Sequence, residues 1–300
     1  MIRGTVALPI WNSCGIAWLC LESLCRQYKP EDDWELIVFE EQHVTMVGEE
    51  YIRSYEERLK EVGCVKVKYL TSTIRHPLSQ KWIKIALASD ETSEYFVLCA
   101  ADNYYHPWML LDFEKYIKEA DWCIMTKGYF YDFLLDKVIK YDVILTVGLH
   151  MAARTSKVRD FPMDEKWSGV DTWFSQRMTP VMLRMDDSDH WKNTVCTNGM
   201  NNISKGRWKF FENILPPFYE TETRLKEIVP EDIYVRMMEI TKNYADNKAV
   251  KEAERYGPDN QKKRISIHLS GQEMVGDKGG EKKIQSTLST MRSEGDIDTR

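Results

Sequence analysis

Glu94-Tyr95-Phe96-Val97-Leu98-Cys99-Ala100-Ala101-Asp102-Asn103-Tyr104-Tyr105-His106-Pro107 is an apolar run that stops abruptly at an acid. An unbroken run of Phe, Val and Leu suits a strand buried on both faces, expected here over Tyr95–Ala100. Asp102 then falls just past the strand's carboxyl end, where open α/β sheets hold their ligands. A carboxylate there can fix a divalent cation against a phosphate group. The plainer alternative is an Asn/Asp turn that only closes the strand.

The sequence on either side supports the strand reading. Thr5–Ile10 reads as a strand that ends in Trp11-Asn12-Ser13, and Cys14–Tyr28 reads as a helix with Ser13 as N-cap. Strands over Glu35–Glu40 and Val65–Leu70 flank a charged amphipathic helix, Glu49–Val62, stopped by Gly63. Helices over Leu78–Ser89 and Trp108–Ala120 enclose the acidic strand. This β-α-β-α rhythm predicts a mostly parallel sheet covered by helices, with right-handed crossovers. Farther on, Trp122–Lys127 and Lys137–Leu145 read as strands, and Ser168–Met178 as a polar helix start. Thr221–Ala245 reads as helical, with Pro230 breaking it or starting a second helix. From Gly257 to Arg300 aromatic residues vanish and Lys, Glu, Gly, Ser and Asp dominate. That composition predicts a tail unable to pack a core, with Ile265–Leu269 as one short strand-like stretch.

Hydrophobic residues make up 43% of the 300, enough for a sizeable core. The net charge of −6 argues against a chain built as a whole to coat a polyanion, although local basic clusters can still meet phosphate. Seven cysteines, an odd number with no Cys-x-x-Cys pair, argue against a disulfide scaffold and a structural zinc ribbon. Neither a signal-like leader nor an apolar run of about 18 residues is found, so a cytoplasmic protein without a membrane span is expected.

Four patterns in order carry a resemblance. They are the strand Thr5–Asn12 running into a helix, Val38-Phe39-Glu40-Glu41-Gln42 at the second strand's end, Ala100-Ala101-Asp102-Asn103 followed by Pro107, and Trp167-Ser168-Gly169-Val170-Asp171-Thr172-Trp173-Phe174-Ser175-Gln176-Arg177. Over about Thr5 to Arg207 the chain resembles glycosyltransferases of the GT-A fold, nearest to the family 2 type. The third pattern stands where that family carries its D-x-D motif, and the fourth resembles its Gly-x-Glu-Asp helix start. Ala100 and Val170 occupy positions where the family usually has acids, so each motif keeps one carboxylate.

The resemblance implies an α/β fold, a Rossmann-like mixed sheet flanked by helices, with a helical extension at the C-terminus. The implied organisation is a transferase domain over 1–215, with a donor half to about 120 and an acceptor half after it, the extension over 216–256, and the tail. It also implies a nucleoside diphosphate sugar donor, in the first place a UDP-sugar, and a Mn²⁺ or Mg²⁺ ion held at Asp102. Asn103 can add an oxygen or an amide hydrogen bond, and Ala101 lines the same loop. A later ligand is implied after the catalytic helix, with His190 the nearest candidate and Asn198 its rival. Asp171 matches the family's general base, and a base facing the leaving group implies inversion. Its position near a helix start equally suits a capping role.

Around the nucleotide, Glu40 and Glu41 are expected to accept from the base or ribose. Pro9, Trp11 and Asn12 border the same place, with Trp11 able to stack. Arg75 and Lys81, in Arg75-His76-Pro77-Leu78-Ser79-Gln80-Lys81, are candidates for the diphosphate, against the alternative of solvated surface charge. Trp167, Trp173, Trp191 and Trp208 are candidates for sugar contact, and Lys205-Gly206-Arg207-Trp208-Lys209 for phosphate or nucleic acid. His106 and His150 read as structural. The acceptor hydroxyl is left open among glycans, lipids, proteins and a hydroxylated DNA base, in the first place a glycan or the DNA base. Two rival functions remain: nucleotidyl transfer, disfavoured because Asn12-Ser13-Cys14-Gly15 holds one glycine, and noncatalytic nucleotide-sugar binding.

Overall fold

A computed structural model describes residues 1–133, 135–142, 151–162, 182–184, 189–198 and 218–256. The expected helix start with Asp171, the Lys205–Lys209 cluster, His150 and the tail from Gly257 lie outside them. The chain divides into two compact units, Met1–Asp246 and Asn247–Arg300. The described part of the second is the helical stretch 247–256.

The strands are β1 (Ile2–Ile10), β2 (Asp33–Glu41), β3 (Cys64–Ser72), β4 (Tyr95–Leu98), β5 (Asn103–Tyr104), β6 (Trp122–Ile124), β7 (Lys127–Asp132), β8 (Lys137–Asp142), β9 (Met151–Arg154), β10 (Met182–Arg184), β11 (Val195–Asn198) and β12 (Phe218–Glu220). Seven of them form one sheet in the order β10-β6-β9-β4-β1-β2-β3. The four from β4 to β3 are parallel, as the rhythm predicts. Next to β4 lies β9, antiparallel to both β4 and β6, so the sheet is mixed.

Period-two alternation sends neighbouring residues of the central strands to opposite faces. Val6, Leu8, Leu36, Val38 and Val97 face helices α1 (Ala17–Leu24), α2 (Glu49–Arg53), α3 (Glu56–Glu61) and α5 (Met109–Ile117). Ala7, Ile37, Phe39, Phe96 and Leu98 face α4 (Leu78–Ala88) and α6 (Thr155–Arg159). Both faces are covered, which is why β4 reads as an unbroken apolar run.

A second sheet, ordered β12-β8-β7-β11-β5, supports a third core. Tyr129, Tyr131, Phe133 and Val195 pack there with Trp18 and Leu19 of α1. Leu225, Ile228, Ile233 and Met237, from helices Leu225–Ile228 and Glu231–Tyr256, complete it. Pro230 separates those two helices, in keeping with its missing N–H. Every residue of α1 except Glu22 is buried, because that helix serves two cores at once. Among the described residues no helix is long and apolar enough to cross a membrane.

Several boundaries differ from expectation. The first helix starts at Ala17, and the Ser13 hydroxyl donates to the Trp11 carbonyl at 3.1 Å in place of capping it. Ile16 and Ala17 instead donate their N–H groups to the Ser13 carbonyl in a turn. The single helix expected over Glu49–Val62 is two, because Tyr55 N–H switches from an i−4 to an i−3 carbonyl, Ile52. Gly63 ends the second with φ +94°, as expected. The Trp122–Lys127 strand stops at Ile124, and Lys127 opens a hairpin with β8. Gly128–Asp132 is buried throughout but holds a glycine and an acid around three aromatic residues, so it shows neither alternation nor an unbroken apolar run.

Two glycines admit tyrosine rings. Gly4 is paired with Tyr95 and Gly128 with Tyr141, and a Cβ on either would collide with the facing ring's Cζ and Oη. Gly4→Ala and Gly128→Ala should each lower unfolding free energy by about 1–3 kcal/mol in urea titrations, because buried rings cannot swing aside. On the helix layer, Glu22 accepts from Arg58 Nη1 and Nη2 at 2.9 and 2.7 Å, tying α1 to α3. The Arg58 guanidinium holds the Glu22 carboxyl below its usual value of 4.5. Its stabilisation is therefore present above about pH 4.5 and is lost as pH falls through the lowered folded value. Glu22→Gln should cost about 1 kcal/mol at pH 7, solvent screening included, and the gap from the parent should close as both are melted at progressively lower pH.

Candidate functional site

Helix α1, which leaves β1, and helix α4, which leads into β4, cover opposite faces of the sheet. The strand order reverses at the β1–β4 boundary, and open α/β sheets bind ligands at the carboxyl edge of such a switch point. Pro9 ends the β1–β4 pairing there. Cys99 N–H donates to the Ala7 carbonyl at 3.0 Å, so Ala7 and, two residues on, Pro9 direct their backbone polar groups toward β4. Pro9 has no N–H to extend that ladder, and the β1–β4 pairing runs only from Gly4 to Ala7. Asn12, with φ +52°, turns the chain away immediately afterwards.

Three strand ends meet around Trp11. The Arg75 guanidinium lies 3.7 Å from the Trp11 ring centroid, after β3. His43, after β2, meets the same ring edge-on at 5.4 Å. Arg75 is exposed, and Trp11 and His43 are half-buried. This is a cationic-aromatic platform at the carboxyl edge of a parallel sheet.

Glu40 and Glu41, expected at the nucleotide, are each 1% exposed and serve the scaffold beneath it. Glu40 accepts from Val47 N–H at 2.7 Å, Gly48 N–H at 2.9 Å and the Tyr69 hydroxyl at 2.5 Å, which closes the loop into α2. Burial, and then this carboxylate, push the Tyr69 hydroxyl up. Glu41 accepts from His76 N–H and lies 2.6 Å from Lys81 Nζ. Lys81 is buried, and desolvation lowers its ammonium more than Glu41 raises it. The strand-end acids thus fix the stretch that carries Arg75, and Lys81 is engaged with Glu41. A strand-end Glu is ambiguous in sequence because its extra methylene lets it turn back into the fold.

Asp102 sits on a loop braced from several sides. Tyr105 Oη accepts from Ala100 N–H at 2.6 Å, and Thr197 Oγ1 donates to the Asp102 carbonyl at 2.6 Å. Asn103 pairs with Cys196 in the β5–β11 ladder and is 2% exposed, with its amide nitrogen 3.5 Å from Tyr105 Oη. Ala101 is buried and Asp102 half-buried. Burial first, and the Asp102 charge after it, push the buried Cys196 thiol up. All seven cysteines are free thiols, only Cys14 of them exposed.

His190 and Asn198 lie at opposite ends of one short segment. Thr197 reaches Asp102, so Asn198 arrives at that end of β11, where its backbone pairs with Asp132. His190 lies in the 3-10 helix Asp189–Asn193 at the other end, with Nδ1 2.7 Å from Asp112 Oδ2 and its ring stacked on Trp108 at 4.6 Å. Among the described residues, His106, Asp112 and His190 form a group whose ligand atoms all lie within 4.8 Å, and Asp102 is not in it. Sequence reading missed this group, because its three members come from a loop, a helix and a distant turn with no recurring spacing. His43 was missed for a similar reason, since only the fold brings it to Trp11. Of the tryptophans considered for sugar contact, the described one, Trp191, packs against Tyr129 with Lys140 Nζ 4.7 Å from its ring.

No protein-family model matches the chain, and no curated protein matches it. Solved structures do. TarS 1-349 of S. aureus, in complex with UDP-GlcNAc, is 15% identical with a TM-score of 0.52, over 67% of this chain and 60% of that one. This chain therefore spans less than two thirds of that TarS fragment. The mannosyltransferase PcManGT of Pyrobaculum calidifontis, in complex with GDP-Man and Mn²⁺, is 13% identical with a TM-score of 0.51, over 91% of this chain and 80% of that one. Likeness at this level of identity establishes architecture: the chain has the GT-A fold.

Proposed function

We propose that the chain is a metal-dependent, inverting glycosyltransferase that moves a sugar from a nucleoside diphosphate donor, a UDP-sugar, to an acceptor hydroxyl on a glycan or a hydroxylated DNA base. The carrying observation is the strand-order reversal between β1 and β4, with the Trp11–Arg75 platform just past the end of β1 and the braced Asp102 loop just past the end of β4. Solved neighbours of the same fold hold UDP-GlcNAc and GDP-Man with Mn²⁺, which supports a nucleotide-sugar donor. Seven free thiols fit a reducing cytoplasm.

The indole and guanidinium offer a stacking face for a nucleobase, with Arg75 also within reach of phosphate charge. Pro9 ends the pairing with β4 and Asn12 turns the chain just before this place. Asp102 suits a hard divalent cation: it offers carboxylate oxygen on a loop whose position is fixed by Tyr105 and Thr197. Such an ion, when bound, neutralises charge on the departing diphosphate. Asp171 takes the proton from the acceptor hydroxyl as its oxygen bonds to the anomeric carbon and the bond to phosphate oxygen breaks. Attack opposite the leaving group inverts the anomeric centre.

Thermal-shift titration with UDP, UDP-sugars and GDP-sugars, with and without Mn²⁺, tests the donor reading. A metal-enhanced rise in Tm with uridine nucleotides is expected. Asp102→Ala should remove the Mn²⁺-dependent part, and Trp11→Ala should weaken UDP binding by about 1–3 kcal/mol, the scale of one lost base stack. An unchanged shift in Asp102→Ala would overturn its metal role, and a shift with no nucleotide at all would overturn the function. For the chemistry, Asp171→Asn should keep the UDP shift while lowering sugar transfer, or donor hydrolysis by water, by roughly 10²–10⁴-fold. Intact turnover in that variant would remove Asp171 from the role.

A further inference from the structure

His106 is fully buried in the segment between β5 and α5, Asp112 lies in the first turn of α5, and His190 is the entry to β11. His106 Nε2 is 3.9 Å and His190 Nδ1 2.7 Å from the same Asp112 Oδ2. Four-coordinate ligands about 2.0–2.1 Å from a shared ion stand roughly 3.3 Å apart, so one contact lengthens and the other shortens by well under 1 Å. The surroundings hold these groups in place. Gln27 Nε2 donates to the His106 carbonyl at 2.9 Å and its Oε1 accepts from Leu110 N–H at 3.1 Å. Tyr28 N–H donates to the Pro107 carbonyl at 2.8 Å, and Trp108 stacks on His190 with only 8° between the planes. His190, 28% exposed, leaves the group open to solvent on one side.

We infer that His106, Asp112 and His190 bind a divalent transition ion of the zinc class, separate from any cation held with the donor at Asp102. Two imidazole nitrogens and one carboxylate oxygen suit Zn²⁺ better than Mg²⁺ or Mn²⁺, which favour oxygen alone. Three protein ligands leave a fourth position for water on the solvent side. Binding exchanges the His190–Asp112 hydrogen bond for two metal bonds and sheds any proton on the imidazoles. The ion then joins the β5–α5 junction to the segment that supplies Thr197, the residue bracing Asp102. Its role is to fix the segment before β11 against α5, and it need not touch the donor.

The test uses the full chain, stripped with chelator, then titrated with Zn²⁺ against a chromophoric competitor and assayed for bound metal by mass spectrometry. One tight equivalent is expected in the parent and in Asp102→Ala, with a rise in Tm on loading in both. His190→Gln, at a part-exposed position, should weaken that equivalent at least about 10–100-fold, the loss that even outer-shell partners cause, while keeping the Mn²⁺-dependent UDP shift. Co²⁺ loading of the parent should give visible d–d bands of an N/O site without thiolate charge transfer, which stands even if a histidine variant misfolds. No tight equivalent, a thiolate band, or undiminished binding in a folded His190→Gln would overturn the inference. Loss of the UDP shift with the zinc equivalent intact would overturn only the donor reading.

Discussion

The β1–β4 boundary is the constraint on which the rest depends. A parallel sheet must cover both faces with helices, and here α1 and α5 cover one face while α4, which leads into β4, covers the other. The strand order reverses at this boundary. Pro9 ends the pairing by withholding the one N–H that would carry the ladder upward. Trp11 and Asn12 follow directly on β1, and the Asp102 loop follows β4.

Around this carboxyl edge, most charged groups hold the scaffold. Glu40 organises the loop before α2, and Glu41 with Lys81 holds the turn that carries Arg75. A carboxylate buried at a strand end is tolerable only when hydrogen-bonded or paired, so these contacts account for both acids. At the same edge lie an aromatic ring with a guanidinium stacked on it, and one half-buried carboxylate.

The second sheet is tied to the first through α1 and through β11. Trp18 and Leu19 face the aromatic core of the second sheet while Cys20, Leu21 and Leu24 face the first. The β11 segment runs from the His106–Asp112–His190 group to the Asp102 loop. Any ligand that orders one end of this segment acts on the same short piece of backbone as a ligand at the other end.

The sequence alone determined the alternation of strands and helices to Ile117, the carboxyl-end position of Asp102 and the resemblance to the GT-A fold, because burial on two faces and chain punctuation are local patterns. It left β7 invisible, since Lys127-Gly128-Tyr129-Phe130-Tyr131-Asp132 shows neither alternation nor a long apolar run, and it merged α2 with α3, since a shift from i−4 to i−3 bonding leaves no mark in residue type. Only the tertiary structure decided that Glu40 and Glu41 turn inward, that His43 and Arg75 share the Trp11 ring, and that His190 stands with Asp112 while β11 brings Thr197 to the Asp102 carbonyl. Those outcomes depend on contacts across dozens of residues, where side-chain reach and the register of paired strands choose the partner and composition does not.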